Sequence, residues 1–116
     1  MAFVFYNPNP KNQRVGDCAV RAVCKALGQD WQESYIDLCS EGLVFKDMPS
    51  SNYVWGMYLK KFGFEEYMVN SICPQCVTVS QFAKDHPKGK YVLACQNHVL
   101  AVENGNYFDS WDSGNE

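Results

Sequence analysis

Apolar residues recur with a helical period through the N-terminal part of the chain and with a period of two near its C-terminus. This change of rhythm organises the sequence. Ala19, Ala22, Val23 and Ala26 stand at helical spacing behind Asp17, a good N-cap residue, and Gly28 stops the run, so Cys18 to Leu27 is expected to be a helix. Its small side chains suit close packing against a sheet, with Arg21 and Lys25 expected on the outer side, where Arg21 would pair with a surface acid or, one turn after Cys18, support a thiolate or a substrate carboxylate. Asp30 and Glu33 form a capping box with aspartate in the cap position, and Trp31, Tyr35 and Leu38 continue a helical stripe to about Ser40. Gly42 is the expected stop, with Leu43 to Pro49 as a loop. Trp55, Tyr58, Leu59 and Phe62, at i, i+3, i+4 and i+7, predict a third helix ended by Gly63, and that spacing assigns the aromatics to the core. Phe64 to Val69 reads as a short strand and Asn70 to Val77 as a loop. Thr78 with Gln81 forms a capping box for a short helix that ends before Pro87, with His86 near the negative end of its dipole.

Beyond Pro87 the pattern becomes β-prone. Tyr91 to Cys95, His98 to Glu103 and Asn106 to Trp111 are three short runs joined by tight turns at Gln96-Asn97 and Asn104-Gly105. At the other end, Phe3 to Tyr6 is apolar and Asn7-Pro8-Asn9-Pro10 is turn-rich, which predicts a short strand or extended arm followed by a loop. Helices first and an antiparallel sheet afterwards is an α+β arrangement, and residues 1–116 are expected to form a single domain.

Composition narrows the function classes. The chain is 47% hydrophobic and 15% aromatic, enough for one core without disulfides. A formal net charge of -3 gives no basic surplus, so neither nucleic acid nor an anionic membrane surface is an expected partner. There is no basic leader with an apolar core, and no apolar run approaches the roughly 20 residues of a membrane span. A cytoplasmic protein with its six cysteines reduced is the expectation. Cys73-Pro74-Gln75-Cys76 has the spacing of half a zinc site, but no second pair follows it, and the next helix begins too late for a redox dithiol. No metal or other cofactor is therefore expected.

The chemistry points to Cys18. A cysteine in the first turn of a helix sits at the positive end of the dipole, where the thiolate is favoured. Such a nucleophile needs a base, and His98 at the head of a strand is better set for it than His86. If Asn104-Gly105 is a two-residue turn, Glu103 pairs with Asn106 and His98 stands across from Trp111. Asp109 then shares the His98 face, one diagonal step of roughly 7 to 8 Å away, within reach of an imidazole. Asp112 has the opposite parity and serves as the backup acid.

The pattern Gly16-Asp17-Cys18-x-x-Arg21-Ala22 near the start, Gly28-Gln29-Asp30-Trp31 in the middle, and His98-x-x-Ala101-x-x-x-Gly105-x-x-x-Asp109-x-Trp111 near the end resembles the papain-like cysteine peptidase superfamily. The resemblance is strongest to its small bacterial and phage members. It implies a compact papain-like fold, with N-terminal helices that include a central helix carrying the nucleophile, packed on a C-terminal antiparallel sheet. It further implies Cys18 as nucleophile, His98 as general base and then acid, and Asp109 as the group fixing the imidazole tautomer, in the place where papain relatives commonly carry asparagine. Trp111 would pack and shield the histidine–acid hydrogen bond, and Asp17 would support the helix start. The oxyanion hole would combine the Cys18 backbone N–H with an upstream side-chain amide. The family glutamine lies six residues before the cysteine, whereas Gln13 lies five before and Asn12 six before; the longer reach of Gln13 favours it, with Asn12 as the alternative. The implied activity is a thiol-dependent hydrolase, a cysteine protease cleaving a peptide or isopeptide bond in a protein or peptide substrate. The same triad also serves glutamine deamidation and acyl transfer, and a non-catalytic phage or mobile-element protein binding a host partner is the alternative of a different class. The sequence leaves the oligomeric state open.

Overall fold

The computed structural model describes residues 2–67, 77–95 and 97–116. Cys73, Cys76 and Gln96, with most of the predicted 70–77 loop, lie outside the described residues. The chain is α+β. Strand β1 (Ala2–Phe5) is followed by helices α1 (Cys18–Leu27), α2 (Trp31–Phe45), α3 (Asn52–Lys60) and α4 (Val79–Asp85), and then by strands β2 (Lys90–Cys95), β3 (His98–Glu103) and β4 (Asn106–Asp109).

The sheet order is β1-β4-β3-β2. β2 and β3 pair antiparallel, as do β3 and β4, but β1 lies parallel to β4, with Phe5 opposite Asp109. The sheet is therefore mixed, which corrects the expectation of a purely antiparallel one. The N-terminal apolar run is the edge strand beside β4, and the Tyr6 N–H donates to the Asp109 carbonyl at 2.7 Å.

Alternation along the strands separates two cores. Val99 and, from β2, Val92 face α1, where Ala19, Ala22, Val23 and Ala26 allow the helix to lie close, and Leu38, Trp55, Tyr58 and Leu59 complete that cluster. Leu100, Val102 and Tyr107 face the other way and pack with Val79 and Ala83 of α4. The N-terminus of α4 is held by the C-terminal segment: Val79 N–H donates to the Glu116 carbonyl at 3.1 Å and Ser80 N–H to the Gly114 carbonyl at 2.9 Å.

Several element ends follow the expected signals. Gly28 closes α1 with φ 68°, Asp30 accepts from the Glu33 N–H, and Thr78 accepts from the Gln81 N–H. His86 follows α4 with its Nδ1 2.8 Å from the Phe82 carbonyl. Gly42 behaves differently from its expected role. α2 runs through it to Phe45, with Lys46 as a left-handed cap, so Leu43 to Phe45 are helical rather than loop. The returning chain crosses Gly42 so closely that a Cβ there would lie 2.5 Å from the Asp47 carbonyl oxygen. Glycine serves close approach at this point rather than termination. α3 begins at Asn52 and ends before Phe62, which packs edge-on against Tyr58 while remaining exposed, and Tyr53 is exposed as well. Phe64 to Tyr67, the described part of the predicted strand, is irregular, with Phe64 packed on the α1 core and Glu66 paired with Lys60 at 3.2 Å. No helix among the described residues is long and apolar enough to cross a membrane.

Register at the C-terminal hairpin follows the turn. Asn104 and Gly105 have φ 51° and 82°, and Glu103 pairs with Asn106. Gly105→Ala, which strains a left-handed position, is expected to cost about 1–2 kcal/mol in urea unfolding. Gly56→Ala, in α3 where nothing lies within 4 Å of the added Cβ, is expected to stabilise by about 0.5–1 kcal/mol in the same assay.

Candidate active site

His98 opens β3 and Asp109 closes β4, so the hairpin brings both to one end of the sheet, where the N-terminus of α1 also lies. Asp109 is 1% exposed, and its carboxylate accepts four hydrogen bonds. Oδ2 takes His98 Nε2 at 2.5 Å and Ser113 Oγ at 2.7 Å; Oδ1 takes the Ser110 N–H at 2.8 Å and Arg21 Nη2 at 3.0 Å. Burial alone would raise the pKa of this group, but bonds from His98, Ser113 and Ser110 outweigh it and hold the carboxyl below its ordinary range. A carboxylate with all four lone-pair positions filled has one stable orientation, and that orientation fixes the imidazole.

His98 is itself buried. Its bond to Asp109, then its bond to Cys18, push its pKa up to about 9 against the opposing effect of burial. Since Asp109 occupies Nε2, Nδ1 is the ring nitrogen left free of that bond. The Cys18 thiol is shifted in the complementary direction. Hydrogen bonding with His98 lowers its pKa most, burial works against this, and the Val99 backbone N–H and the charges of His98 and Arg21 lower it further. Both shifts run in the direction of a thiolate–imidazolium pair.

The Val99 donor follows from strand pairing. Cys95 and His98 are the last partners in the β2–β3 register, and the β3–β4 register would place Val99 across from Ser110. β4 ends at Asp109, one residue short of a partner for it, and the Val99 N–H is among the groups that lower the Cys18 pKa. The helix end adds more donors. Asp17 stands at the N-cap position of α1, but its side chain makes no cap hydrogen bond. The early N–H groups of the helix thus keep their positive potential without a side-chain acceptor, next to the thiol.

Arg21 corrects the sequence expectation most clearly. Rather than facing solvent it is 6% exposed, its guanidinium placed between Asp17, which it meets through Nη1, and Asp109. Asp17 accepts a further bond from Trp31 Nε1 at 2.8 Å. Lys25, also expected on the outer side, lies over the Phe108 ring at 4.2 Å and pairs with Glu103 at 3.5 Å. The Asp17–Arg21 spacing of i, i+4 was the available signal for the ion pair; its burial came from β4, which sequence spacing on α1 does not reveal.

Trp111 covers one side of the imidazole, its ring 5.0 Å from that of His98 and tilted by 40°, while remaining 41% exposed. Asp112 is engaged elsewhere, accepting from Tyr107 OH at 2.8 Å and the Gly114 N–H at 3.0 Å, so the backup acid is not at the imidazole. Asn12 and Gln13 are exposed. Their loop is organised by the two asparagines of the turn-rich run: buried Asn9 accepts from the Lys11 N–H at 2.8 Å, and Asn7 Nδ2 donates to the Gln13 carbonyl at 3.1 Å. A largely apolar cleft of about 290 Å³ lies along Val15 to Asp17, Ala19 and Val20, bounded by Trp31 and Tyr35, whose rings stack 5.0 Å apart. Among the described residues, no group of three or more His, Cys, Asp or Glu is placed to hold a metal ion.

No protein-family model, curated protein or solved structure matches this chain.

The raised His98 pKa sets a sign for stability. The group contributes fully below its ordinary value of 6.5, and the contribution fades as pH rises through about 9. Urea unfolding of the wild type and His98→Ala from about pH 6 to about pH 10 is expected to show a stability difference that shrinks toward the alkaline end.

Proposed function

We propose that the protein is a thiol-dependent hydrolase of the papain-like kind, acting on a peptide or isopeptide bond through Cys18, His98 and Asp109. The observation that carries this reading is the buried Asp109–His98 pair, its carboxylate fully bonded, at the end of the sheet where α1 begins with Cys18. A core cysteine with no chemical task has no need of an imidazole held by a fully bonded carboxylate.

In this reading the Cys18 thiolate attacks the substrate carbonyl carbon. A C–S bond forms, and the carbonyl π pair moves to oxygen. The oxyanion would lie against the Cys18 N–H, with the exposed Gln13 amide, or that of Asn12, closing over it on substrate binding. As the tetrahedral adduct collapses, the C–N bond breaks and the imidazolium gives its proton to the departing amine, leaving an acyl thioester on Cys18. His98 then takes a proton from water as that water attacks the thioester. Thiolate departs, and the carboxylic acid product leaves. Asp109 stays ionised throughout and holds the ring with Nδ1 toward sulfur. Trp111 limits water on one side of this pair, which strengthens the electrostatic orientation.

The test uses p-nitrophenyl acetate as a small acyl donor and a peptide library as amide substrate. Wild type is expected to form an acetyl adduct on Cys18, seen as a mass increase, and to cleave members of the library. Cys18→Ala should abolish both, and His98→Ala should lower amide turnover by about 10³-fold or more. A wild-type chain that forms no adduct, with Cys18 alkylated by iodoacetamide no faster than Cys24 or Cys95, overturns the reading.

A further inference from the structure

Arg21 has no part in the chemistry just described, yet it is a buried cation one helical turn beyond Cys18, bonded at the same time to the helix start and to the acid behind the histidine. We propose that Arg21 is a positioning residue of this site: through Nη2 it takes Oδ1 of Asp109, leaving Oδ2 for His98, while Asp17 anchors its other nitrogen. The inference rests on the thiol–imidazole reading and extends it from three residues to a linked set of five.

The geometry argues for more than packing. Asp109 has two oxygens that could face His98, and a carboxylate free to rotate would hold the imidazole in more than one orientation. Arg21 and the Ser110 N–H both bond Oδ1, and Ser113 joins His98 on Oδ2, so each oxygen has a distinct set of partners. A guanidinium suits this bridge because its planar fork offers separate nitrogens to the two carboxylates; an ammonium would act as a single point charge. The arrangement also balances charge. Asp17 and Asp109 are both buried, and without Arg21 the thiolate would share its surroundings with two carboxylates and one imidazolium. The charged and titratable groups facing this cluster are Asp17 and Arg21 from α1, His98 from β3, Asp109 from β4, and Cys95 from β2, whose thiol burial pushes up so that it stays neutral.

The experiment is the pH dependence of iodoacetamide alkylation at Cys18, followed by peptide mapping, in wild type, Arg21→Met, Arg21→Lys and His98→Ala. Arg21→Met removes both the charge and the fork; the Cys18 midpoint is expected to rise by about one pH unit or more. Arg21→Lys keeps the charge and loses the fork, and its midpoint is expected to fall between those of wild type and Arg21→Met. A purely structural arginine would lower the melting temperature of the variants while leaving the Cys18 midpoint of the folded protein where it is in wild type, and that result overturns the proposal. If Arg21→Met does not fold, the Arg21→Lys midpoint decides: a rise supports positioning, and an unmoved midpoint refutes it. The underlying thiol–imidazole reading is judged separately by His98→Ala. If wild type and His98→Ala share one unshifted midpoint, that reading fails whatever the arginine variants do.

Discussion

The buried carboxylate of Asp109 is the constraint on which the rest of this structure depends. An ionised group at that depth is tolerated only when its lone pairs are filled, and here the donors come from four places in the chain: α1, the head of β3, the residue following β4, and the C-terminal segment. Each donor therefore fixes the position of a different element. The parallel strand β1 adds a fifth tie, since Tyr6 holds the Asp109 main-chain carbonyl while the side chain is held by the others. Misplacing any of these elements leaves part of a buried charge without a partner, which makes one carboxylate a check on the tertiary arrangement.

The two faces of the sheet divide the work. On one, the alanine and valine surface of α1 lets the helix approach β3 closely, and this closeness brings Cys18 to His98 and Val99. On the other, α4 packs on Leu100, Val102 and Tyr107, and its N-terminus is secured by the same C-terminal segment that presents Ser113 to Asp109. The cluster thus lies where both cores and the strand ends converge. β4 ends early, at Asp109, one residue before the position that would pair with Val99.

Much of this was legible because local rules governed it. The limits of α1, the caps at Asp30 and Thr78, and the Asn104-Gly105 turn each depend on residues a few positions apart, and the turn alone set the register that carries Asp109 to His98. What escaped the sequence depended on partners far along the chain. Arg21 has the appearance of an outward-facing helical arginine until β4 delivers a carboxylate to it; Gly42 has the appearance of a stop until the loop at Asp47 crosses it; and the β1 run gives no sign that its partner is the last strand. Asp17 shows the same limit in another form: the residue is suited to capping, but a tertiary ion pair and Trp31 take its side chain.

Cys18 and Arg21 sit on one rigid turn of one helix, and that has a mechanical consequence. A small slide or rotation of α1 against the sheet moves sulfur relative to the imidazole and, in the same motion, strains the guanidinium's hold on Asp109. Displacements of the Cys18 sulfur with its helix are therefore opposed by the buried Arg21–Asp109 ion pair. The place of Cys18 relative to the sheet is thus tied to a bond that the cysteine itself does not make.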